Sequence, residues 1–82
     1  MATKAYVLIE TTVGKSRDVS RALASVGGVK NVDNVTGQYD IIATVEAPDL
    51  NAVGEVVTGQ IHTIGGIMRT VTCLTVDSDQ SD

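Results

Sequence analysis

Three features of this 82-residue sequence predict an α+β sandwich, a four-stranded antiparallel sheet with two helices on one face. The first is the order of its periodicities, with β-forming runs and two stretches of helical spacing in the order β-α-β-β-α-β. The second is an internal echo. Val26-Gly27-Gly28-Val29 recurs as Ile64-Gly65-Gly66-Ile67, 38 residues later, and the same offset pairs Val7 with Val45, Val19 with Val57 and Leu23 with Ile61. The third is the central turn Val35-Thr36-Gly37-Gln38-Tyr39-Asp40, where Gly37 can take positive φ at little steric cost between two strand-like runs. Two βαβ-like halves joined by a hairpin make the split βαβ, ferredoxin-like arrangement, and right-handed crossovers put both helices on one face.

The first strand covers Ala5–Glu10, with Ala5, Val7 and Ile9 on one face and Tyr6 and Leu8 on the other. After the loop Thr11–Lys15, Ser16 is expected to cap a helix that runs to about Val26. Val19, Ala22, Leu23 and Val26 form its apolar stripe, and Gly27-Gly28 ends it. Val29–Thr36 is the second strand, its Asn31, Asp33 and Asn34 marking a sheet edge. Asp40–Glu46 is the third and strongest, again apolar on both faces (Ile41, Ala43 and Val45 against Ile42). Pro48-Asp49 opens a second helix with Leu50, Val53, Val57, Ile61 and Ile64 as its stripe. Gly54 and Gly59 each weaken that helix by up to ~1 kcal/mol relative to alanine. Gly65-Gly66 closes it, and Ile67–Val76 is the fourth strand.

Two helices cover one sheet face only, yet the first and third strands, central in this topology, are apolar on both. The other face is expected to carry Tyr6, Leu8, Ile42 and apolar residues of the fourth strand. Burial of apolar surface contributes roughly 25 cal/mol per Å². A second copy laid on this face is the simplest cover, so a homo-oligomer, at least a dimer, is expected.

Residues 1–76 are read as one domain and 77–82 as an acidic disordered tail. The net charge is −4, but Asp77, Asp79 and Asp82 supply three of the ten acidic groups, leaving the body at −1. No basic patch is present, and Tyr6 and Tyr39 are the only aromatics, so direct nucleic-acid binding is not expected. No apolar run approaches the ~20 residues that span a bilayer, and residues 1–4 lack a secretory signal pattern, so the expectation is a cytoplasmic protein without a membrane role. The single cysteine excludes an internal disulfide.

Few residues point to reaction chemistry. Gly14-Lys15-Ser16 resembles the end of a phosphate loop, but the glycine required five residues before Gly14 is replaced by Ile9. His62, the only histidine, falls near the end of the second helix, where a cation suits the dipole, and it has no second ligand for a metal. Cys73 reads as a buried, inert thiol in the last strand. Asn34-Val35-Thr36 matches a glycosylation sequon that has no meaning without secretion. No catalytic residue, metal or cofactor is assigned. Tyr39 and Asp40 stand at the mouth of the hairpin, where Asp40 either shapes the turn or receives a small polar ligand. Thr70 and Thr72 share one face of the fourth strand and can offer hydroxyls to a zwitterion.

The run Val35-Thr36-Gly37-Gln38-Tyr39-Asp40 followed by an apolar strand resembles the central signature of the effector-binding domain of the Lrp/AsnC regulators. Ile64-Gly65-Gly66-Ile67-Met68-Arg69-Thr70-Val71-Thr72 resembles the second hallmark of that family, a glycine turn followed by a Thr-x-Thr strand. The similarity covers about residues 4–76; Gly65-Gly66 departs from the proline-glycine that relatives often carry. The resemblance implies dimers joined through their sheets, rings of dimers, and amino-acid effectors bound between dimers. By position it makes Gly37, Tyr39, Asp40, Thr70 and Thr72 the ligand-binding residues. The family's helix-turn-helix domain has no counterpart in this sequence, which implies a stand-alone sensing module. Association with a full-length Lrp/AsnC regulator is the further partner that this arrangement allows.

The alternative reading is a small enzyme on the dimeric α+β barrel, a monooxygenase or isomerase. It needs a deep pocket with a base, and His62 or Asp40 would have to serve. A pocket within one subunit favours the enzyme; a pocket between dimers favours the sensor.

Overall fold

The structure, a computed structural model, describes residues 2–76. The acidic stretch assigned above to residues 77–82 lies outside the described residues. Four strands and two helical segments follow the expected order: β1 (Thr3–Thr11), α1 (Ser16–Ala24), β2 (Val29–Asn34), β3 (Ile41–Ala47), α2 (Leu50–Val56, continuing as a π-helical turn over Val57–Ile61) and β4 (Ile67–Leu74). All pairings are antiparallel, and the sheet order is β2-β3-β1-β4. This is the ferredoxin-like sandwich, with β1 and β3 central.

Strand alternation decides what the helices cover. Ala5, Val7 and Ile9 of β1 pair with Val45, Ala43 and Ile41 of β3, and all six are fully buried. Val19 and Leu23 of α1 and Val53 and Ile61 of the second helical segment complete this core, each no more than 2% exposed. The opposite face carries Tyr6, Leu8, Ile42 and Val71, none fully buried, with Tyr6 and Val71 each 38% exposed. Glu10 and Arg69 bridge at 3.5 Å at one end of this face, an exposed pair of the kind that adds little stability.

Each half is closed by a glycine in the left-handed region. The carbonyl of Gly28 (φ 96°) accepts a bond from Glu46 N at 2.9 Å, and that of Gly66 (φ 99°) accepts one from Thr12 N at 2.8 Å. The echo seen in the sequence is therefore a structural one.

Several local expectations are corrected. Ser16 is the first helical residue rather than the cap; Lys15 holds the cap position and makes no side-chain capping bond. The helix ends at Ala24, two residues early, as the Ser25 and Val26 amides tighten onto Ala22 and Leu23 in the 3₁₀ manner. β2 stops at Asn34, because Val35 N turns to Asp40 O at 2.9 Å and closes the hairpin loop. Leu50, placed on the apolar stripe, is 57% exposed. Cys73 is exposed, not buried, because the β1–β4 register sets it opposite Tyr6 on the helix-free face. The second helix opens at Pro48-Asp49 as expected, and there Asp49 caps α2, its carboxylate accepting from Ala52 N at 2.8 Å.

Candidate functional site

The hairpin and β4 reach the same end of the sheet by different routes. Asp40 N donates to Ile9 O at 2.9 Å, and its carboxylate oxygen Oδ2 accepts from Thr11 N at 2.8 Å and Thr11 Oγ1 at 3.2 Å. A register shift between Glu10 and Thr11 accompanies these bonds at the end of the β1–β4 ladder. Asp40 therefore fastens the hairpin loop to the end of β1. Gly37, at φ 127°, has open space around it, so its backbone and not close packing calls for glycine. Tyr39 is half-buried beside it.

Thr70 and Thr72 lie opposite Ile9 and Val7, so both point to the helix side of the sheet. There they do not meet the core. β4 is an edge strand, and between it and the second helix runs an open groove of about 440 Å³. It is lined by Leu50, Val53, Val57 and Leu74 and by the polar side chains of Thr58, His62, Thr70 and Thr72. That size falls within the range of small-molecule sites. Apolar walls with a few hydroxyls suit an amphiphile with one polar head. Among the described residues, the walls carry no lysine, arginine, aspartate or glutamate.

His62 enters this site through the π-helical turn, where its amide donates to Val57 O at 2.9 Å, five residues back. Its Nε2 lies 2.9 Å from Thr70 Oγ1. Thr58 Oγ1 donates back to Gly54 O at 2.8 Å and so faces its own helix.

The five residues singled out in the sequence thus fall into two groups within a protomer. Gly37, Tyr39 and Asp40 cluster at the hairpin; Thr70 and Thr72 line the groove. β1 stands between them, and two strand spacings amount to about 10 Å. His62, Val53, Val57 and Leu74 belong to the groove, yet nothing in the sequence singles them out for it. The row Leu50, Gly54, Thr58 and His62 has helical spacing but mixed character, so it does not stand out as a stripe, and Leu74 reads simply as strand.

The chain belongs to the Lrp/AsnC family: the model of the Lrp/AsnC ligand binding domain matches residues 4–78. A Pyrococcus furiosus HTH-type transcriptional regulator, uncharacterised, is 32% identical over 75 residues, covering 88% of this chain and 50% of the relative. The chain thus spans about half the length of the regulators of this type that it matches. Homocitrate synthase of Sulfurisphaera tokodaii is 38% identical over 56 residues, 68% of this chain but 12% of that enzyme. Among solved structures, a Thermus thermophilus protein superposes with a TM-score of 0.90 at 32% identity, covering 96% of this chain and 99% of that one. A feast or famine regulatory protein of M. tuberculosis, solved in complex with L-methionine, shares the fold with a TM-score of 0.77 at 21% identity, over 98% of this chain and 54% of that one.

Proposed function

We propose that this domain is an amino-acid-sensing and oligomerisation module of transcription regulation or amino-acid metabolism, cytoplasmic and not itself an enzyme. The observation that carries the reading is the groove beside β4, lined by aliphatic side chains and by the hydroxyls of Thr70 and Thr72. A free amino acid with an uncharged, aliphatic side chain matches this lining: the hydroxyls meet its charged head and the valines and leucines its side chain. The methionine held by the M. tuberculosis relative is a ligand of this kind.

Oligomerisation is supported by the helix-free face, where Tyr6, Leu8, Ile42 and Val71 are laid side by side across the central strands and β4. In this reading the chain forms dimers through that face, and dimers associate further. Gly37, Tyr39 and Asp40 complete the ligand site from a neighbouring subunit, since β1 keeps them from Thr70 and Thr72 of their own chain. A ligand that binds two assembly states unequally shifts the balance between them. A full-length regulator of the family is a further partner consistent with the same surfaces.

The alternative reading, a small enzyme on the dimeric α+β barrel, would use the same groove as its active site. Acid–base chemistry, however, needs a base with an orienting partner. His62 meets a hydroxyl, and Asp40 is bonded to Thr11, away from the groove.

Isothermal titration of the protein with each of the twenty amino acids, paired with light scattering, tests the proposal. Heat with aliphatic amino acids and a ligand-dependent mass are expected. No heat with any of them, at a constant mass, overturns it.

A further inference from the structure

We infer that His62 is a positioning residue of the effector site, holding the Thr70 hydroxyl as a donor aimed into the groove. The inference rests on the reading of that groove as the amino-acid site. Its starting point is the 2.9 Å separation of His62 Nε2 and Thr70 Oγ1. A threonine hydroxyl has one proton and two lone pairs, and it rotates to suit its surroundings. In the tautomer that carries its proton on Nε2, the imidazole donates to the oxygen, one lone pair is occupied and the hydroxyl proton is left for an acceptor in the groove that Thr70 lines. A carboxylate accepts only. It therefore finds at Thr70 a donor whose direction is set before it arrives, and less rotational freedom is lost on binding.

The helix geometry explains why His62 is the residue that reaches. Leu50, Gly54, Thr58 and His62 follow one another at four-residue intervals, share one helix face and all line the groove, while Val57 and Ile61 keep to the buried face. The π-helical turn that ends the helix bonds His62 N to Val57 O, and the His62 ring meets Thr70 of β4. Single π turns of this kind recur at functional sites. With no charged side chain on the walls, His62 and the threonine hydroxyls are the polar side chains available to a carboxylate there.

Titration calorimetry with L-leucine and L-methionine on wild type, H62L, H62Q, T70V and H62L/T70V tests this. Glutamine carries a side-chain N–H donor and serves as the conservative replacement. H62L is expected to weaken binding about five- to ten-fold, the scale of one hydrogen bond, while H62Q stays within about two-fold of wild type. On the T70V background H62L should change nothing further, since its effect passes through that hydroxyl. Melting curves of all variants report folding separately. H62L binding as tightly as wild type, H62Q failing as badly as H62L, or effects that simply add would each overturn the inference and leave the effector reading standing. A wild-type protein that binds no amino acid removes both.

Discussion

Gly28 and Gly66 hold equivalent places in the two halves of the chain, and each is pressed against the helix of the other half. A Cβ on Gly28 would lie 3.0 Å from Val56 Cγ2; one on Gly66 would lie 3.1 Å from both Lys15 Cβ and Val19 Cγ2. Both have φ near +100°, so a side chain is opposed by backbone strain as well as by space. The glycines beside them, Gly27 and Gly65, are in ordinary backbone and meet nothing within 4 Å.

Alanine at the two kinds of position should therefore separate sharply. G28A and G66A are expected to lose about 1–3 kcal/mol of stability, and G27A and G65A less than about 1 kcal/mol either way. Urea unfolding at matched protein concentration measures the four. Equal losses at all of them would refute the crosswise packing.

Asp40 is expected to matter to the fold whatever its role toward a ligand. Its carboxylate accepts from both the amide and the hydroxyl of Thr11, which is only 8% exposed. D40A leaves these donors without a partner and should lower unfolding stability by about 1–3 kcal/mol. A variant as stable as wild type would show that the hairpin needs no such fastening.

The helix-free face gives a third expectation. V71D places a charge in the middle of the apolar strip formed with Tyr6, Leu8 and Ile42, and multi-angle light scattering should show a shift toward monomer. The charge cannot enter a subunit contact without a penalty of several kcal/mol. A mass unchanged by the substitution would mean that association uses another surface.

Blocking the groove is the fourth. T72W should fill the space beside Val53 and Val57, abolish amino-acid heats in calorimetry and leave the melting temperature near that of wild type, because residue 72 is exposed. Undiminished binding would place the ligand elsewhere.

Much of this architecture can be read from residue order. The repeated Val/Ile-Gly-Gly-Val/Ile blocks mark places where a helix must give way to a strand, and the two-sided greasiness of β1 and β3 marks them as central. What cannot be read depends on geometry that leaves no trace in the apolar spacing. His62 follows Leu50, Gly54 and Thr58 at four-residue spacing, but that row is not an apolar stripe, so hydrophobic periodicity does not mark it. Leu50 fits the helical stripe, but the stripe says nothing of the gap between the helix and an edge strand, and Leu50 borders that gap. Thr70 and Thr72 are visibly on one face; only the register against Ile9 and Val7 says which. Cys73 departs from expectation for the same reason, since an apolar neighbourhood in sequence does not tell the covered side from the bare one.

β1 lies between β3 and β4, so its two neighbours are far apart in the chain: Val7 faces Ala43 on one flank and Thr72 on the other. During translation the second flank stays unpaired until residues beyond 70 leave the ribosome, and closing so long a loop is slow. Until then a newly made chain holds an open, water-averse strand edge, and chaperone capture or pairing with another nascent copy would compete most strongly in that interval.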